Sequence, residues 1–121
     1  MEREFISYKQ ALALKELGFD EKCFKYWVGE IHEKNIVFVL DSEKLNDDEL
    51  LAPLKQQVFR WFRENYNLYG CIVYQESYRH MYEIVDITGE LFEHIVYENE
   101  YSTYEEAENA CIDKLISIAK Q

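Results

Sequence analysis

Two histidines in the second half of the chain come nearest to a chemical site in residue type and spacing. His80 and His94 lie in neighbouring predicted strands, and Asp86 and Glu90 fall between them. In the register set by a bulged turn, both histidines would lie on one sheet face, roughly one diagonal apart. Such a grouping suggests a metal site or an acid–base pair. Since no ligand spacing singles out a metal, two partly exposed strand histidines are the simpler interpretation.

Two other polar stretches match known sites only in part. His32 and Glu33 lack the histidine four residues away that a helical zinc protease needs. A calcium-binding EF-hand loop requires alternating oxygen ligands and a central glycine. The acidic segment 41–49 has Leu45 within its alternation and lacks that glycine. We therefore interpret these stretches as a hairpin connection and a solvated acidic loop.

Catalytic motifs are missing from the sequence. It has no GxSxG turn that would present a nucleophilic serine, and no glycine-rich loop that would cradle a phosphate. The sequence therefore predicts a non-enzymatic protein with no cofactor and no metal. Sequence motifs do not reveal a site assembled from residues that are distant in the sequence.

Charge argues against nucleic acid and membranes as partners. The chain carries 24 acidic and 13 basic residues, for a net charge of −11. Such a field repels phosphate backbones and anionic lipid heads and favours basic partners. The acid-rich segments 41–49 and 98–108 allow one alternative, a nucleic-acid mimic that binds and inhibits a basic host protein. Ordinary solubility charge is the plainer explanation.

A small basic grouping supports a second alternative. Lys55, Arg60 and Arg63 lie on one predicted helix, with several tyrosines nearby in the sequence. Basic and aromatic side chains together bind single-stranded nucleic acid by charge and base stacking. Surface charge around a core helix is the simpler interpretation, and the net negative charge opposes nucleic-acid binding.

The ten tyrosines suggest an interaction surface. A partly alternating strand pattern predicts a sheet with one covered face and one partly wet face. Candidates for the second face are Tyr74, Tyr78, Tyr82 and Tyr97. An exposed aromatic patch there would bind an unknown protein partner or a second copy of the chain as a homodimer. Our leading functional prediction is a non-enzymatic accessory or protein-interaction domain.

Length and cysteine content define the class of protein. The 121 residues, 48% hydrophobic, predict a single domain over 1–121. The cysteines Cys23, Cys71 and Cys111 form no CxxC pair, and we expect Cys71 and Cys111 to be buried thiols. No apolar run is long enough to span a bilayer, and the charged start shows no secretory signal. A cytoplasmic location is expected.

Capping residues and periodicity predict an α+β fold with the order α-β-β-α-β-β-β-α. Its antiparallel sheet would carry the helices mainly on one face. Ser7 with Gln10 and Gly18 delimit a first helix over 8–17, and a second is expected over 53–65. Overlapping capping boxes at Ser102 and Thr103 begin the last helix. The strands are expected at 23–28, 36–40, 70–76, 79–86 and 91–97.

The turn at Asp86 to Gly89 leaves two registers open between the last two strands. A bulged turn pairs Tyr82 with His94, whereas a two-residue turn pairs Glu83 with His94 and gives Thr88 a positive φ. We favour the bulge.

Two resemblances follow from these patterns. The order α-β-β-β-α over residues 53–120 resembles the double-stranded RNA-binding domain, but Thr103-Tyr104-Glu105-Glu106 stands where that family has a lysine cluster. The stretches 52–64 and 103–107, with the opening 7–24, resemble small uncharacterised proteins of phages and mobile elements of gut bacteria. That resemblance implies a single domain of phage or mobile-element origin and assigns no functional residue.

Overall fold

The computed structural model describes residues 4–21, 25–29, 34–38, 49–75, 79–87, 93–96 and 100–121. They form a mixed α+β structure with antiparallel strands, which confirms the predicted class. The chain divides into two compact units, Met1–Lys55 and Gln56–Gln121, which we describe separately. The single-domain assignment for 1–121 stays a prediction. None of the described helices is long and apolar enough to cross a membrane.

Helix α1, Tyr8–Glu16, begins at the predicted residue and ends one residue before the predicted end, with Leu17 as its C-cap. The Ser7 hydroxyl accepts from the Gln10 N–H at 3.1 Å, and the Ser7 N–H donates to Gln10 Oε1 at 3.0 Å. Gly18 follows the helix with φ 95°, and the Phe19 N–H donates to the Leu14 carbonyl at 3.0 Å. This pattern is a Schellman motif, which satisfies carbonyls that the helix end would leave unpaired.

The first unit holds a three-stranded antiparallel sheet in the order β2-β1-β3. Its strands are β1, Lys25–Gly29; β2, Lys34–Phe38; and β3, Glu49–Ala52. Register pairs Trp27 with both Ile36 and Leu50. Helix α1 lies against β3, and the Ile6 N–H donates to the Pro53 carbonyl at 3.2 Å.

Strand β3 corrects the predicted order of elements. The sequence prediction has no strand between its second strand and its second helix, whereas Glu49–Ala52 pairs with β1. The strand is short and follows an acidic segment, so it shows neither alternation nor a turn signal of its own. The chain also builds two three-stranded sheets from its described strands, where one sheet was predicted.

The second unit combines a three-stranded sheet with two helices. Helix α2, Lys55–Tyr66, starts at the last residue of the first unit. Strands β4, Leu68–Gln75, β5, Arg79–Asp86, and β6, Glu93–Val96, are antiparallel with β5 central. Helix α3, Tyr104–Ala119, packs on β4 and β5.

Gly70 in β4 marks the sheet face that the helices cover. A Cβ at this position would lie 3.0 Å from Cys111 Sγ and 3.2 Å from both Leu115 Cδ1 and Phe59 Cδ1. Leu115 and Cys111 belong to α3, and Phe59 belongs to α2. Side chains of both helices therefore meet β4 on the same face, where a side chain at position 70 would collide with them.

The register between β5 and β6 differs from both predicted alternatives. His94 lies opposite Val85 and Glu93 lies opposite Asp86, and residues 88–92 lie outside the described residues. The predicted pairs of Tyr82 or Glu83 with His94 are therefore wrong. Turn residues at Asp86 to Gly89 are compatible with more than one loop length, and each change in loop length shifts the register between the two strands.

Helix α3 buries more of its surface than its predicted stripe. Ala107, Cys111 and Leu115 are buried as expected, whereas Ile118 is half-buried. Ile112 and Ile116 are buried as well, together with Glu108. Lys120 is the C-cap residue, so it lies just beyond the last turn in which it was predicted.

Candidate functional site

Three aromatic rings lie together where β4, β5 and the start of α3 meet. The ring centroids of Tyr74 and His80 are 5.3 Å apart, and those of His80 and Tyr104 are 6.1 Å apart, both edge to face. Tyr74 is 57% exposed and Tyr104 is 43% exposed, while His80 between them is half-buried. We call Tyr74, His80 and Tyr104 the ring cluster.

Backbone pairing fixes the position of His80. The strand register sets His80 opposite Tyr74. On the other side, the His80 N–H donates to the Tyr101 carbonyl at 2.9 Å, and the Tyr101 N–H donates to the His80 carbonyl at 2.7 Å. Residues of β4, β5 and the segment before α3 therefore hold this histidine on both sides.

The Nδ1 atom of His80 is buried and has no hydrogen-bond partner among the described residues. A buried polar atom without a partner costs about 1–3 kcal/mol relative to a satisfied one. The cost is compatible with a surface that a bound molecule completes.

A polar pair lies one helical turn further along α3. Glu108 is buried in a helix face that otherwise carries apolar side chains, and its Oε2 accepts from Gln56 Nε2 at 3.4 Å. Burial and the nearby Glu108 carboxylate raise the pKa of the Tyr104 phenol above its usual value. Tyr104 is therefore a neutral hydrogen-bond donor throughout the physiological pH range.

The four tyrosines predicted as an interaction surface do not share one exposed face. Tyr74 is exposed, but Tyr82 is only 5% exposed and its ring stacks on Tyr101 with centroids 6.2 Å apart. Tyr82 therefore belongs to the core of the second unit, which corrects its predicted role. Tyr78 and Tyr97 lie outside the described residues. Tyr104, which was not among the four predicted tyrosines, is exposed near Tyr74.

The two predicted site histidines are not brought together. His80 lies opposite Tyr74 and His94 lies opposite Val85, so their register positions belong to opposite faces of the sheet. Glu90 lies outside the described residues. Within the described ranges, no group of three or more histidine, cysteine or carboxylate side chains is placed to hold a metal ion. The segments around His32 and residues 41–48 are not among those ranges.

The predicted basic face is interrupted. Lys55 is only 3% exposed, so its charge is directed away from the open surface that nucleic acid would contact. Arg60 is exposed and Arg63 is half-buried. Arg79 lies 3.8 Å from the Glu100 carboxylate, which balances its charge locally.

The two described cysteines differ in environment. Cys111 is buried as predicted, and burial together with Cys71 and Glu108 raises its pKa to about 12. Cys71 is exposed, so its predicted burial is wrong. Its apolar neighbours in β4 point to the other face of the strand, because successive side chains alternate.

Sequence reasoning missed Tyr104 and Glu108 as members of this region. Both fall within the acid-rich segment 98–108, whose composition predicts a charged surface. Their spacing contained a signal, since Tyr104, Glu108 and Cys111 recur at positions i, i+4 and i+7. That periodicity places all three on the side of α3 that meets the sheet.

Comparisons with protein-family models, with curated proteins and with solved structures found no match to this chain.

Proposed function

We propose that the chain is a non-enzymatic protein-interaction domain that binds its partner at the ring cluster. The observation that carries the proposal is the pair of exposed tyrosines flanking a half-buried histidine. Aromatic residues are enriched at protein interfaces because they bury a large apolar area and keep a polar atom for hydrogen bonding. Near Gly70, side chains of both helices pack on β4. This packing holds in place the strand that carries Tyr74 and the helix that carries Tyr104.

The charge around the cluster indicates the kind of partner. Glu100 and Glu106 are exposed close to Tyr104 in the sequence, and the chain as a whole carries a net charge of −11. A basic partner is attracted by this field, and an arginine side chain stacks on tyrosine rings. We propose a basic host or self-encoded protein that stacks an arginine on the exposed rings of Tyr74 and Tyr104. An origin in phages or mobile elements, supported by the sequence resemblance, is part of the same proposal.

Site-specific photo-cross-linking tests the proposal. Benzoylphenylalanine replaces Tyr104 in one variant and Leu12 in a matched control, since both side chains are similarly exposed and Leu12 lies in the first unit. We expect the position 104 variant to form one cross-linked protein product that the Leu12 variant does not form. Equal cross-linking from both positions, or none from position 104, would overturn the proposal.

The acidic-mimic alternative differs in its dependence on salt. A mimic relies on many distributed charges, so its binding falls steeply with ionic strength. Binding through the ring cluster is lost in Tyr74→Ala and Tyr104→Ala variants at any salt concentration. Capture that persists in these variants but disappears at high salt would favour the mimic.

Single-stranded nucleic-acid binding is the weaker alternative, because Lys55 is buried. We expect no increase in fluorescence anisotropy of a labelled oligonucleotide at physiological salt. Binding that Arg60→Ala and Arg63→Ala abolish would reverse this ranking.

A further inference from the structure

Strand β4 is an edge of the sheet in the second unit. The strand order is β4-β5-β6, and no strand among the described residues pairs with the outer side of β4. Its eight residues, LYGCIVYQ, include no charged residue and no proline. Natural edge strands are protected from pairing by charges, proline, bulges or shortness. Strand β4 has none of these, so its outer edge is competent to pair with another strand.

The hydrogen bonds around β4 and β5 show which peptide groups point outward. The Ile87 N–H donates to the Asn67 carbonyl, and His80 exchanges both of its backbone hydrogen bonds with Tyr101 on the far side of β5. In an antiparallel pair, hydrogen-bonded positions alternate along each strand. Leu68, Gly70 and Ile72 are therefore positions whose N–H and C=O groups point away from β5.

We propose that two copies of this chain pair their β4 strands antiparallel about a two-fold axis at Cys71. Gly70 of one copy then exchanges two hydrogen bonds with the position equivalent to Ile72 in the other, and the reverse pair forms by symmetry. The pairing joins two three-stranded sheets into one continuous sheet. This interaction uses the backbone of β4 and does not involve His80 or Tyr104 of the ring cluster, although Tyr74 lies in the same strand.

The uncharged side chains of β4 fit a second copy of the same strand as the occupant. Two molecules of net charge −11 repel each other, so they associate best along a surface that carries no charge. Strand β4 is such a surface over its whole length. On the face away from the helices, exposed Tyr69 would lie opposite Val73 of the other copy, and exposed Cys71 would lie beside its equivalent. An aromatic side chain opposite a β-branched one is a favourable cross-strand pair.

The centre at Cys71 makes the geometry testable. At a non-hydrogen-bonded antiparallel pair the Cα atoms are about 4.5 Å apart. A disulfide accepts Cα separations of roughly 4.4–6.8 Å. The two Cys71 thiols are therefore within reach of a disulfide, in which they lose two protons and two electrons to an added oxidant.

Light scattering on the full chain is the first test. With reductant and at about 50 µM, well above a micromolar Kd, we expect twice the mass of one chain. Cys71→Lys places two like charges at the axis and should give a monomer. Ser117→Lys, at an exposed position of α3, adds the same charge and should leave the dimer intact. A monomeric parent chain, or a dimer unaffected by Cys71→Lys with native circular dichroism, would overturn the proposal.

Oxidation is the second test. In a Cys23→Ser background treated with diamide, we expect a disulfide-linked dimer that Cys71→Ser abolishes and Cys111→Ser retains. A cross-link that depends on Cys111, or none at all, contradicts pairing at β4. The Tyr104→Ala variant should dimerise normally, so failure of this inference is distinguishable from failure of binding at the ring cluster.

Discussion

Gly70 lies where β4 passes beneath side chains of both helices of the second unit. We expect Gly70→Ala to lower the free energy of unfolding by about 1–3 kcal/mol, because the new Cβ would lie 3.0 Å from Cys111 Sγ. Urea denaturation followed by circular dichroism measures the change. An unchanged midpoint would show that the helices shift without cost.

A double-mutant cycle separates this contact from other effects of the added methyl group. Cys111→Ala removes the sulfur atom closest to the added Cβ, so Gly70→Ala should cost less in that background. If Gly70→Ala lowers the free energy of unfolding equally in both backgrounds, the added methyl group clashes mainly with Leu115 and Phe59.

The two described thiols should react at very different rates. The pKa of Cys111 is raised to about 12, so at pH 8 its thiolate fraction is on the order of 10⁻⁴. In a Cys23→Ser background we expect iodoacetamide to modify exposed Cys71 first. Cys111 should react only in urea, which mass spectrometry of peptides reports. Fast modification of Cys111 in the folded chain would contradict its burial.

Raised pKa values also set the direction of alkaline destabilisation. The folded state favours the neutral forms of Tyr104 and Cys111, so their contribution to stability is complete below the unfolded-state pKa values. It is lost as pH rises through the folded-state values. We expect the urea midpoint to fall above about pH 9, and to fall less in a Cys111→Ala variant.

Individual side chains show the limit of sequence reasoning at this scale. Cys111 and Cys71 both have apolar neighbours in the sequence, yet only Cys111 is buried. The faces of β4 were known to alternate, but which face the helices cover depends on packing that the sequence pattern does not contain. The same ambiguity made Tyr82 a surface candidate.

At the scale of elements, helix α3 offers a direct test of its start. Two overlapping capping boxes were possible, and the structure uses Thr103, whose hydroxyl accepts from the Glu106 N–H at 3.1 Å. Thr103→Ala should cost about 1 kcal/mol of stability. Ser102→Ala, the adjacent exposed hydroxyl, should change the thermal midpoint little. The reverse ranking would place the helix start one residue earlier.

Elements defined by local chemistry were predicted closely, and pairings between elements were not. The cap at Ser7 and the glycine at position 18 define α1 almost to the residue, and β5 begins and ends as expected. The register of β6 and the existence of β3 depend on contacts between distant residues. Short-range turn and alternation signals do not carry that information. For the same reason the ring cluster was not predicted, since Tyr104 and Tyr74 are brought together only by the packing of α3 on the sheet.

At the scale of the whole molecule, the chain offers one tryptophan in each unit. Trp27 lies in β1 and Trp61 in α2. Trp27→Phe and Trp61→Phe variants each leave a single fluorescent reporter. Because the boundary between the units falls at the start of α2 and not in a glycine- or serine-rich linker, we expect both reporters to show the same urea midpoint. Two separate transitions would show that the units unfold independently.

The passage from α2 to β4 has a consequence for how sequences of this kind can diverge in length. Asn67 alone separates Tyr66 from Leu68, and it adopts φ 55°. Asparagine and glycine tolerate this left-handed conformation, whereas proline cannot adopt it. With a joint of one residue there is no slack to absorb an insertion. An added residue there would have to displace the last turn of α2 or shift β4 along β5, which would turn its side chains to the opposite face. Insertions and deletions should therefore be excluded at this joint.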